Sequence, residues 1–127
     1  MYLFIDLIVE NEDSNVAFPK ILDVFKDSGK TAEWRAEHVE ACGWPPICEK
    51  LHAFSDNNEY INGEEFYSII TPKIQIIEGT FYVHHSNEGE VWLTVNVKDG
   101  SCIDIITEVE DIVLTLQRIY PHSELFH

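Results

Sequence analysis

The chain has 127 residues, 23 acids against 8 lysines and arginines, and a formal charge of -15. That length fits a single domain over residues 1–127, and an apolar share of 45% is enough for a packed core. The charge argues against nucleic acid and anionic membranes as partners, since both need a basic face, and points to a basic protein instead.

Three cysteines, Cys42, Cys48 and Cys102, cannot all pair within one chain, whereas small secreted domains carry even disulfide frameworks. Met1 leads straight into Tyr2-Leu3-Phe4-Ile5-Asp6, with no basic leader and no long apolar run. The expectation is a cytoplasmic protein without a membrane span.

Residues 2–10, YLFIDLIVE, read as a strand with Leu3, Ile5, Leu7 and Val9 on one face. An acidic loop over 10–15 precedes a helix running to about Ser28, with the apolar stripe Phe18, Ile21, Leu22 and Phe25, and Gly29 as its stop. A second helix is expected over 32–42, capped by Thr31 and ended by Gly43. After the rigid Trp44-Pro45-Pro46 turn, residues 47–54 form a short helix, and 64–70 add two more turns before Pro72.

Beyond Pro72 the apolar period changes to two. Residues 73–85 predict a strand with a bulge at Glu78-Gly79, residues 86–89 a hairpin turn, and Val91, Leu93, Val95 and Val97 a second strand. A closing helix is expected over 102–120, with Ser101 as cap and Asp104 at its third position; its β-branched first residues also allow a strand at 102–107. The order predicts an α+β fold: a small antiparallel sheet of three to four strands with helices mainly on one face, a ferredoxin-like variant by element order.

Four sets of residues could carry chemistry. His38, Cys42, Cys48 and His52 form two His/Cys pairs at i, i+4. If each pair faced inward from its own helix, the four would make a soft tetrahedral set for zinc, although the short CxxC hook of common zinc sites is missing. Packing and surface roles are the simpler reading of these residues, so neither a metal nor a cofactor is expected.

The stretch Asp56 to Phe66 resembles the second half of an EF-hand calcium loop, with Ile61 at the buried position and Glu65 at the bidentate one. Phe54 stands where the first ligand belongs and Glu59 where the glycine belongs, which puts calcium binding in doubt. His84 and His85, with Glu88 and Glu90 across the hairpin, contain a possible acid–base pair, but adjacent strand residues point to opposite faces and no nucleophile motif accompanies them. No phosphate-binding glycine pattern is present, so the chain is not expected to be an enzyme.

The fourth set is the acids themselves. From Ile74 to Gln117 the only lysine or arginine is Lys98, against eight carboxylates: Glu78, Glu88, Glu90, Asp99, Asp104, Glu108, Glu110 and Asp111. Loop acids beside an aromatic side chain suit the grip of a cationic protein, and Asp56, Glu59, Tyr60, Glu64, Glu65, Glu88 and Glu90 are the expected contact residues.

The segment Trp92–Tyr120, WLTVNVKDGSCIDIITEVEDIVLTLQRIY, resembles the ending of small acidic immunity proteins of bacterial toxin systems: a strand, an Asp-x-Ser turn, an Ile-Thr segment and a closing helix. The resemblance implies a cytoplasmic inhibitor that covers the active site of a nuclease-type toxin, basic because it binds phosphates. It covers under a quarter of the chain. A metal-stabilised protein using the His/Cys set, or an accessory subunit of a larger assembly, are the alternatives.

Overall fold

A computed structural model describes residues 2–9, 14–70, 74–85, 89–98 and 102–126. In chain order the elements are β1 (Leu3–Ile8), α1 (Ser14–Val24), α2 (Lys26–Lys30), β2 (Glu33–Gly43), α3 (Pro45–Asp56), β3 (Ile61–Asn62), α4 (Gly63–Ile69), β4 (Ile74–His84), β5 (Val91–Lys98), β6 (Cys102–Thr107), α5 (Glu110–Ile119) and β7 (Glu124–Phe126). The seven strands form one sheet in the order β3-β2-β4-β5-β6-β1-β7, and every pairing is antiparallel.

The α+β class holds, but a sheet of three to four strands does not, and a ferredoxin-like arrangement falls with it. Two segments expected as helix are strands. Residues 33–43 contain good helix formers, yet Trp34 and Ala36 are fully buried while Glu33, Arg35 and Glu37 lie on the other face; burial of the period-two set outweighs the local preference. Residues 102–107 take the strand alternative: Ile103 and Ile105 point into the core and Asp104 lies opposite, in mid-strand rather than in a capping box. The helix begins only at Glu110. Ser101, the expected cap, lies outside the described residues.

All five helices lie on the face that carries Ile5, Trp34, Phe81, Leu93 and Ile105. Phe18 of α1 meets Phe81 at 5.1 Å, and Phe66 of α4 stacks on Trp34 at 4.1 Å and meets Phe54 of α3 at 6.3 Å. Helix α5 adds Ile112, Val113 and Leu116 against β1 and β6. The Trp34 indole N–H, buried with its ring, donates to Gly29 O at 2.9 Å, so the largest core side chain leaves no orphan donor.

Two bulges shape the sheet. Between β2 and β4 the register slips around His38-Val39 opposite Gly79, and again before Ala41–Ile76. Each slip shifts the alternation by one, so the buried positions change from Trp34 and Ala36 to Ala41 on β2, and from Ile74 and Ile76 to Phe81 and Val83 on β4. His38 takes the left-handed φ of 55° that this slip requires. The second bulge lies between β4 and β5: Val83 pairs with Leu93 but His84 with Val91, leaving Trp92 as the extra residue.

Candidate partner-binding site

The second bulge builds a site. In a regular strand Trp92 would share the helix-free face with Thr94; as the extra residue it turns toward the helices, its ring 6.1 Å from Phe25. Trp92 lies one residue past the end of the β5–β6 ladder, and the buried Thr107 hydroxyl donates to its carbonyl at 2.8 Å while accepting from Val109 N at 3.1 Å. One hydroxyl therefore satisfies two backbone groups and turns the chain from β6 toward α5.

Trp92, Phe25, Val109 and Ile112 make the apolar part of a cleft of about 860 Å³, open to solvent at the hairpin end of the sheet. Its rim carries Asp23, Asp27 and Glu108 against Lys26, and His85 stands beside Trp92, their rings 6.3 Å apart. The end of α1 and the start of α2 meet at the same rim. Burial, and behind it the Asp23 charge, push the Tyr67 phenol well above its ordinary range; its O–H donates to Leu22 O at 2.8 Å and ties α4 to this end of α1.

The described loop residues expected as contacts stand outside the cleft lining. Tyr60 is half-buried, its ring edge-on to His84 at 5.1 Å, and the exposed Glu59 precedes it. Glu90 is exposed and its carbonyl accepts from His85 N, closing the hairpin at 3.0 Å. Glu64 is exposed in the first turn of α4, where Asn62 caps the helix by accepting from Glu65 N. Glu65 instead pairs with Lys50 at 2.6 Å, and Asp56 sits at the end of α3. Glu88 lies outside the described residues.

None of Glu59, Tyr60, Glu64 and Glu90 lines the cleft, and Tyr60 meets His84 on the helix-free face, opposite the one toward which Trp92 turns. The acids that do line the cleft, Asp23, Asp27 and Glu108, were not among the expected residues. Asp23 and Asp27 are four apart, a helical spacing that could have flagged them; no sequence signal gives the bulge that turns Trp92 toward them.

His84 is buried on the helix-free face. Its Nδ1 lies 2.8 Å from Gly89 O, so that nitrogen carries the proton and pins the hairpin; Nε2 has no hydrogen-bond partner. The pairing of His84 or His85 with Glu90 as acid and base does not form: the Glu90 contact to His85 is through the backbone.

The zinc candidates lie on different elements than expected. His38 and Cys42 are on strand β2, His38 and Cys42 both exposed, while Cys48 and His52 are on α3. The His52 ring accepts from Ala41 N at 3.2 Å through Nε2, which takes the lone pair a metal would need. Burial, then the nearby Cys42, raise the Cys48 thiol above its usual range, against the thiolate a metal prefers. Among the described residues no three His, Cys, Asp or Glu side chains are grouped to hold a metal ion. The resembled calcium loop is instead the end of α3, strand β3 and the start of α4, with its Glu65 engaged by Lys50.

Among the described residues no helix is long and apolar enough to cross a membrane. Comparisons with protein-family models, with curated proteins and with solved structures give no match.

Proposed function

We propose that this protein is an acidic binding module that neutralises a basic protein partner, an inhibitor of the immunity type directed at a nuclease-type toxin. One observation supports this most directly: the hairpin end of the sheet sets exposed Asp23, Asp27 and Glu108 on the rim of an apolar, aromatic cleft. A phosphate-binding protein is basic where it holds its substrate, so a surface with acids outside and an aromatic floor within is complementary to it in charge and in apolar contact. With a formal charge of -15, steering over distance adds to the contact itself.

The test is capture of the partner from the native host at low salt, followed by two measurements on the purified pair. Association should slow by about tenfold or more as salt rises from about 0.05 to 0.5 M. One equivalent of this protein should also stop nucleic-acid cleavage by the partner. An on-rate flat in salt, or cleavage that continues in the complex, overturns the proposal.

A further inference from the structure

We infer that the cleft between α1, the β4–β5 hairpin and the β6–α5 turn seats an arginine side chain of the basic partner. This rests on the binding function proposed above and names what enters the site. The half-buried Trp92 indole, set toward the helices by its bulge, offers a flat wall over which a guanidinium can stack. Phe25, Val109 and Ile112 supply the apolar surroundings for the three methylenes of the arginine stem.

At the rim, Asp23, Asp27 and Glu108 outnumber Lys26. The amino end of α5 opposes a cation, and Glu110 and Asp111 in its first turn offset that.

Lysine suits this cleft less well. Its ammonium is a compact, strongly hydrated charge with no face to stack, whereas a guanidinium sheds water more readily and presents a planar fork to carboxylates. A neutral isostere, citrulline, keeps the shape and loses the charge, so it separates shape from electrostatics.

The probes are N-acetyl-arginine N-methylamide and its lysine and citrulline counterparts, titrated into the full chain and followed by the indole N–H resonances. Trp44, 59% exposed and outside the cleft lining, is the internal control for unspecific attraction to an acidic surface. The arginine probe is expected to shift Trp92 saturably while Trp44 stays still. The lysine probe should bind about fivefold or more weakly and citrulline weaker still. The double variant Asp23→Asn, Asp27→Asn, at two exposed sites, should keep the fold and lose the shift; Trp92→Phe should keep the fold and weaken the affinity for the partner.

Equal response to lysine and arginine, joint movement of Trp44 and Trp92, or no saturable shift at Trp92 overturns the inference. If the partner's on-rate still falls with salt while the arginine probe leaves Trp92 unmoved, the acidic binding function stands and the arginine seat fails. If the probe seats and the partner's on-rate is flat in salt, the reverse holds.

Discussion

Asp6 and Asp104 are registered neighbours across the β1–β6 ladder, close enough that the Asp104 carboxylate disfavours charge on Asp6. Asp104 is buried although it lies on the helix-free face, and Lys98 of β5 reaches it at 2.5 Å. Asn96 lies beside Asp104 on β5, and Glu124 lies beside Asp6 on β7. Burial first, then the Asp104 hydrogen bond and charge, with Glu124 adding, hold the Asp6 carboxyl above the usual value of 3.8; Lys98 opposes them.

A carboxyl raised in the folded state binds its proton more tightly there than in the unfolded chain. Stability therefore increases as pH falls through the folded value toward 3.8, and the cost of ionising Asp6 is carried at neutral pH. Asp6→Asn should raise the Tm at pH 7 and remove the gain this group gives on acidification, measured as the difference in Tm between the two proteins across pH. A variant less stable than the parent at pH 7, with an unchanged pH profile, shows that burial and Asp104 do not burden the Asp6 carboxylate in solution.

Lys98 has the opposite sign. The Asp104 hydrogen bond and charge raise its ammonium above 10.5, so its contribution is present below that pH and lost as pH rises through the folded value. Lys98→Met should destabilise the protein at pH 7 and push Asp6 up further. That enlarges the benefit of adding Asp6→Asn, a non-additivity readable from a double-mutant cycle of chemical unfolding curves.

Gly63 marks the closest backbone approach in the fold. A Cβ there would stand 1.9 Å from Gly29 O and 2.7 Å from Lys30 Cα, while its own N–H donates to Ala32 O at 2.8 Å. Those atoms are backbone at the end of α2 and cannot swing away as a side chain would. Gly63→Ala should cost about 3 kcal/mol or more in urea unfolding, at the upper end of overpacking substitutions. A cost below about 1 kcal/mol means that the two segments are less closely joined than their contact implies.

The sheet's central hairpin was legible because Val91, Leu93, Val95 and Val97 alternate without interruption, and because Gly79 marked the slip in β4. Segment 33–43 was not: Glu, Ala and Arg favour a helix locally, and only the distant partners Phe25, Phe66 and Phe81 make Trp34 a core position. The two shortest strands, β3 of two residues and β7 of three, give too few positions for any period to register. Glu59, Tyr60, Glu64 and Glu90, outside the cleft lining, could be named as polar loop residues. The cleft could not, since it joins the end of α1 to a bulge and to the β6–α5 turn, segments up to 89 positions apart from Asp23 to Ile112.

Thr107 tests the bulge directly. Thr107→Val keeps the shape and removes both the donor to Trp92 O and the acceptor for Val109 N, two partly buried contacts of a buried hydroxyl. The cost should be about 2–4 kcal/mol, since each orphaned group costs about 1–3. The Trp92 indole resonance should shift or broaden in this variant, while that of Trp34, held by Gly29 O, stays in place. Loss of stability with no change at Trp92 separates the hydroxyl from the geometry of the cleft.

Position and net charge can be separated by comparing reversals of equal charge at two ends of the sheet. Glu59, Glu64 and Glu90 are exposed at the hairpin end; Glu40 and Glu78 are exposed and paired in register near the middle of β2 and β4, away from it. Each Glu→Lys change alters the net charge by two, so long-range steering changes by a similar amount in all five. None should change the Tm by more than about 2 °C, because exposed charges contribute little to folding. Glu40→Lys should even help slightly by facing Glu78 with an opposite charge. Affinity for the basic partner should divide them: Glu59→Lys, Glu64→Lys and Glu90→Lys are expected to lose about 1–3 kcal/mol each where the acid is buried in the complex. Glu40→Lys and Glu78→Lys should lose only the shared loss of on-rate, with off-rates unchanged. If all five slow association equally and none changes the off-rate, the chain attracts its partner by charge alone and the hairpin end is not the contact face.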